Sequence, residues 1–184
     1  MNQEEVIEIF KKSGALMEGH FVLTSGYHSH HYFQCAKVLQ FPEFNTAFSI
    51  QIANYFSHKK IDTVITPAVG GIVLGTEVGR ILNVKTIFAE RENGKMTLRR
   101  GFEITKDEKI LVCEDVVTTG GSVFEVIELI REYEAEPVGV GFIIDRSNGK
   151  VNFAVEQYSL AMIEVIKYAE NEIPDWLDKL PITK

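Results

Sequence analysis

The residues best suited to chemistry lie in ILVCEDVVTTGGSV, positions 110–123. An apolar run ends in two carboxylates, Glu114 and Asp115. Val116 and Val117 follow, then Thr118, Thr119, Gly120, Gly121 and Ser122 lead into a segment with helical spacing. Glycines let successive backbone N–H groups turn inward, hydroxyls add donors, and a helix N-terminus adds positive potential, so this run reads as a phosphate cradle. It lacks both the Gly-Lys-Ser/Thr ending of a P-loop and the spacing of a dinucleotide fingerprint, which argues against nucleotide hydrolysis and hydride transfer. Carboxylates accept hydrogen bonds from hydroxyls and attract divalent cations. Together the acids and the cradle suit a ligand with a phosphate and vicinal hydroxyls, such as a ribose 5-phosphate. Cys113, inside the apolar run, reads as a small buried hydrophobe rather than a nucleophile. His28, His30 and His31 near Cys35 lack the spacing of a zinc site and read as polar loop residues.

These groups need a scaffold, and the pattern around them supplies one. VITPA, KTIFAE, KILVCED and VGVGFIID read as strands, with IVLGTEVGRIL and SVFEVIELIREY as helices between them. Such alternation predicts an α/β domain with a central, mainly parallel sheet flanked by helices, and places the acids at the C-terminal end of a strand, where open α/β sheets bind ligands. Ahead of this lie an amphipathic helix capped by Asn2 and Glu5, a hairpin or flap over 20–36 with a turn at Ser25-Gly26, and an aromatic-faced helix over 42–59. Residues 1–40 are expected to form the main part of a small hood on a single domain spanning 1–184, the tail, 153–184, being the other candidate contributor. In that tail YSLAMIEVIKYA fits an edge strand or a helix, and PDWLDKL a short closing helix. Residues 91–101, polar and rich in Lys, Arg and Gly, are long for a connection and predict a mobile active-site loop.

Composition narrows the setting. The chain has 184 residues, the size of one domain, with 45% hydrophobic and 24% charged residues. Nineteen Lys and Arg against 26 Asp and Glu give a net charge of −7, which disfavours a nucleic-acid partner. No apolar run approaches the roughly 20 residues of a membrane span, and the acidic, amphipathic start does not read as a signal peptide. Two cysteines fit a reducing compartment, so a cytoplasmic location is expected.

The stretch 110–123 resembles the phosphoribosyl-pyrophosphate (PRPP) motif of type I phosphoribosyltransferases, and other segments resemble the orotate branch of that family. LTSGYHSHHYFQCA resembles its early substrate segment, TPAVGGI its pyrophosphate loop, FAERENGKMTLRRGF its catalytic loop, and FIIDRSNG the strand that ends in an orotate-contacting arginine. The resemblance implies a type I phosphoribosyltransferase fold and Mg²⁺-dependent transfer of phosphoribose from PRPP to orotate. The products would be orotidine 5'-monophosphate and pyrophosphate, in pyrimidine biosynthesis. It implies that Glu114, Asp115, Val116, Val117, Thr118, Thr119, Gly120, Gly121 and Ser122 hold PRPP. Thr118, Arg146, Tyr32 and Phe33 would lie near orotate. Ala68, Val69, Gly70 and Gly71 would wrap the pyrophosphate. Arg91 and Lys95 would bind it from the loop, Lys95 acting in catalysis with Glu114 and Asp115. Mg²⁺ would be held mainly through PRPP rather than by protein ligands, and the protein would be a homodimer whose loops serve the neighbouring site.

The chain departs from that pattern in places. Thr24 and Gly70 stand where the family often has lysines, and Glu92 and Thr97 where a lysine and a histidine are frequent, leaving Lys95, Arg99 and Arg100 as the local cations. Two other readings therefore stand beside the orotate one: a purine-base phosphoribosyltransferase, and a PRPP-sensing regulator that binds nucleic acid. The second needs a basic face or an added domain, and neither is evident here.

Overall fold

A computed structural model describes residues 1–23 and 25–183. The elements follow in chain order as α1 (Gln3–Lys12), β1 (Leu16–Val22), β2 (His28–Phe33), α2 (Ala36–Leu39), α3 (Pro42–Tyr55), β3 (Thr63–Pro67), α4 (Gly71–Leu82) and β4 (Lys85–Glu92). Then come β5 (Lys95–Leu98), β6 (Lys109–Val117), α5 (Gly121–Glu132), β7 (Glu136–Asp145), β8 (Gln157–Met162), α6 (Asp175–Asp178) and β9 (Ile182–Thr183). Six strands form the central sheet in the order β5-β4-β3-β6-β7-β8. All its pairings are parallel except β4 with β5. The chain runs from β3 to β4 on one side and returns to β6 on the other, so the topological switch point lies between the C-terminal ends of β3 and β6.

Strand alternation divides the core into two layers. Val64, Leu111 and Cys113 pack with Phe10 of α1, Phe48 and Ile52 of α3 and Leu74 and Val78 of α4. Ile65, Ile110 and Val112 pack with Val126, Ile127 and Ile130 of α5. Near-continuous apolar strands are what a sheet covered on both faces requires. Among the described residues no helix is long and apolar enough to cross a membrane.

A second sheet, β2-β1-β9, joins the N-terminal hairpin to the tail. The capping box at Asn2 is present: its side chain accepts from the Glu5 amide at 2.9 Å, and its own amide donates to Glu5 Oε2 at 2.8 Å. The hairpin strand starts at Leu16, ahead of the expected position 20, because Gly14 at φ +67° ends the helix and turns the chain. The tail segment YSLAMIEVIKYA resolves in favour of the edge strand: β8 adds to β7 in parallel. Within PDWLDKL, α6 is a single turn.

Residues 91–101, read from sequence as a loop, are largely strand and turn. β4 and β5 form a two-residue hairpin closed by Asn93 and Gly94, both at positive φ (52° and 84°), the geometry that favours Asn-Gly in tight hairpins. Met96 is buried in the layer beneath α5, so alternation anchors the segment as a strand.

Candidate active site

The acids and the cradle stand at the switch point. Glu114 and Asp115 are half-buried near the end of β6. Glu114 lines a small recess of about 80 Å³ together with Val116, Val117, Thr118, Thr119, Gly120, Gly121, Ser122 and Val123. Gly120 caps α5 at φ +75°, and a Cβ there would meet Phe153 and Val151 at 2.9 Å, so both conformation and space require glycine. Among the described residues the hydroxyls of Thr118, Thr119 and Ser122 donate to no protein acceptor. They and the first amides of α5 are available to an anion.

The loop after β3 lies against the same acids. A Cβ on Gly70 would stand 2.9 Å from Asp115 Oδ2, and one on Gly71 would stand 3.0 Å from Glu114 Oε1. The absent side chains thus let the backbone of Ala68, Val69, Gly70 and Gly71 reach the crevice. This gives Gly70 a steric reason to differ from the lysine of the resembled pattern. Thr24, the other departure, lies outside the described residues.

Crowding sets the charge state of Glu114. Burial, and then the neighbouring Asp115, push Glu114 up to about 9. Two carboxylates facing the same crevice beside Gly70 and Gly71 are the hard oxygen donors that suit Mg²⁺ delivered by a ligand. Among the described residues no three His, Cys, Asp or Glu side chains cluster as a metal site of their own.

Arg146 follows β7, and its amide donates to the Val117 carbonyl at 2.8 Å, next to the cradle. Among the described residues its guanidinium has no ion-pair partner. Asp145, its neighbour, is engaged by the amides of Ser147 (2.7 Å) and Gly149 (3.2 Å), so Arg146 is not a structural partner for that acid. The guanidinium carbon lies 5.6 Å from the centre of the Phe33 ring. Tyr32 does not join it: the ring packs 5.5 Å from Phe21 and borders a separate cavity with Met17, Val22 and Lys37. Adjacent strand residues face opposite sides, so the structure separates the two aromatics paired in sequence.

Arg91 and Lys95 are each held by a glutamate of α5, Arg91 on its second turn and Lys95 at its last residue, so Lys95 is not brought to the cradle of its own chain. Arg91 pairs with Glu125 at 2.7 Å and Lys95 with Glu132 at 3.2 Å, both along α5. Eleven residues separate Glu132 from Gly121, about 16 Å at the helical rise. Arg100 forks onto Glu90 at 2.7 and 2.8 Å and lies over Phe88, while Arg99 pairs with Glu92 at 3.5 Å. The sequence reading missed these glutamate partners, although Glu125, Glu128 and Glu132 repeat at helical spacing along one face of α5.

A crevice at a switch point, with an anion cradle on one side and a glycine-bearing loop on the other, is the arrangement that open α/β sheets use for phosphorylated ligands. Comparison with known proteins gives the class: residues 39–166 match the phosphoribosyl transferase domain. The chain is 58% identical over 182 residues to the orotate phosphoribosyltransferase of Chlorobium phaeobacteroides, covering 99% of this chain and 94% of that one. It is 50% identical over 184 residues to that of Desulforamulus reducens, covering 100% and 96%. The chain belongs to the orotate phosphoribosyltransferase family. The crystal structure of orotate phosphoribosyltransferase from Aeropyrum pernix matches the fold with a TM-score of 0.72 at 22% identity, over 86% of this chain and 93% of that one.

Proposed function

We propose that this chain transfers the phosphoribosyl group of PRPP to orotate, forming orotidine 5'-monophosphate and pyrophosphate, in the cytoplasm. The observation that supports it best is the packing of Glu114 and Asp115 against Gly70 and Gly71 beside an open cradle. Sugar hydroxyls, pyrophosphate and 5-phosphate would then have adjoining sites.

In this reading Thr118 to Ser122 and the α5 N-terminus receive the 5-phosphate, and Glu114 and Asp115 accept hydrogen bonds from the ribose hydroxyls. Transfer to a ring nitrogen passes through an oxocarbenium-like state, with positive charge growing on the sugar and negative charge on the leaving pyrophosphate. The acid pair faces the first, and the backbone of Ala68 to Gly71 faces the second. Mg²⁺ bound through PRPP would supply further neutralisation of the leaving group. Arg146, half-buried and without an anionic partner among the described residues, receives the orotate carboxylate or a ring oxygen through its planar fork of donors. Arg91 and Lys95 act on pyrophosphate from the β4–β5 hairpin, and closure of that hairpin excludes water. Because Lys95 rests at the far end of α5 in its own chain, the reading includes a homodimer in which each hairpin serves the partner's site.

The test is a base panel. Purified protein with Mg²⁺ and PRPP is offered orotate, uracil, adenine, guanine, hypoxanthine and xanthine, and nucleotide formation is followed. Turnover confined to orotate is expected. Turnover of a purine overturns the base assignment, and no turnover with any base overturns the enzyme reading.

A further inference from the structure

We propose that Phe33 is a positioning residue for Arg146, setting the guanidinium in place before the base arrives, rather than a surface on which the base stacks. This rests on the reading of Arg146 as the receiver of the orotate carboxylate.

Little else holds Arg146. Its amide is tied to Val117, but the long side chain has no ion pair among the described residues, and its Nε is buried without a hydrogen-bond partner. Such a side chain samples many rotamers unless something fixes it, and binding an anion must then order it. The contact that fixes it is the Phe33 ring, 5.6 Å from the guanidinium carbon. Burial lowers the affinity of the guanidinium for its proton, as expected for a cation with no carboxylate beside it among the described residues.

The ring is itself held. Phe33 stacks on Phe10 at 5.0 Å with planes 17° apart, and Phe10, fully buried, stacks on Phe48 at 5.8 Å and 23°. Three aromatics from α3, α1 and β2 thus form a column that ends on Arg146. With Phe10 stacked on it and the guanidinium over it, the Phe33 ring is already engaged, so its service to the base goes through the cation.

The experiment is a double-mutant cycle read as separate KM values for orotate and PRPP. Phe33→Leu is expected to raise the orotate KM about three- to thirtyfold, the range of a cation–π contact, with kcat and the PRPP KM within about twofold of the parent. Arg146→Gln is expected to raise the orotate KM about tenfold or more. Adding Phe33→Leu to Arg146→Gln is expected to change nothing further, and Phe33→Tyr to restore the parent value. Phe33→Met, close in volume to Phe33→Leu and also without an aromatic face, repeats the measurement if the leucine variant folds poorly, with thermal unfolding as the check. An equal rise on both backgrounds overturns the proposal, because the ring would then touch the base itself, as does an unchanged KM in Phe33→Leu and Phe33→Met. An orotate KM unmoved by Arg146→Gln overturns the underlying reading of Arg146 instead.

Discussion

Glu108, just ahead of β6, and Glu114, toward its C-terminal end, are driven in opposite directions by their neighbours. Burial alone would raise Glu108. Lys85 at 2.8 Å, the Thr105 amide at 2.7 Å, and the hydroxyls of Thr63 and Thr105 outweigh it and bring Glu108 down to about 2. An acid whose folded pKa lies below its ordinary value of 4.5 stabilises the fold above that value, and the contribution is lost as pH falls toward about 2. Glu108→Gln is therefore expected to cost about 2–4 kcal/mol at pH 7, with a smaller further loss than the parent between pH 5 and pH 3 in urea unfolding. Glu114 is the reverse case. Its raised pKa means that stability is full below 4.5 and falls as pH climbs toward about 9. Glu114→Gln is expected to have a higher Tm than the parent at pH 8, and a difference that shrinks at pH 5, while kcat/KM for PRPP drops. A group kept at a cost to the fold beside an open glycine-rich recess is what a binding site would need, whereas Glu108, hydrogen-bonded ahead of the strand, is architecture.

Between elements, α4 shows how one helix serves packing and chemistry at different turns. Gly75 and Gly79 let it lie close on the sheet: a Cβ at either would strike the side chain of Thr66 or Thr86. Gly70 and Gly71, at its start, instead face the carboxylates of Asp115 and Glu114. Gly75→Ala is expected to destabilise by about 1–3 kcal/mol through overpacking, whereas Gly70→Ala is expected to keep the parent Tm and raise the PRPP KM about tenfold by displacing Asp115. A denaturation curve beside a KM measurement separates the two. The strands, α4, α5 and the cradle were readable in sequence because each carries a local pattern: apolar runs, 3.6-residue spacing, and glycines where the chain must turn. The β4–β5 hairpin was missed because charge and length were weighed above the Asn93-Gly94 turn. The contact of Phe33 with Arg146 was not readable, since no local pattern links residues so distant in the chain. The same holds for the parting of Tyr32 from Phe33, which depends on what each side of the second sheet meets.

At the scale of the whole molecule, charge placement bears on how many chains make one site. The cradle and acid pair sit at one end of β6 and α5, while the Lys95 ammonium rests on Glu132 at the other end of α5, about 16 Å away along the helix. Both members of that pair are exposed, so it is worth no more than about 1 kcal/mol and yields readily to a pyrophosphate. Loss of Lys95 is accordingly expected to lower kcat more than it raises KM in Lys95→Ala, the mark of a contact made mainly in the transition state. Whether the hairpin turns back to its own cradle or crosses to a second chain is decided by mixing two inactive proteins, Lys95→Ala and Asp115→Asn. If each site takes Asp115 from one chain and Lys95 from the other, a mixed dimer holds one site with both residues intact and one with neither. Equal mixing with free exchange puts half the dimers in that form, so about one quarter of the parent activity is expected to return. If each chain completes its own site, every site in the mixture lacks one residue and nothing returns. In that case the hairpin must leave α5 and close over its own crevice, and the shared-site homodimer fails.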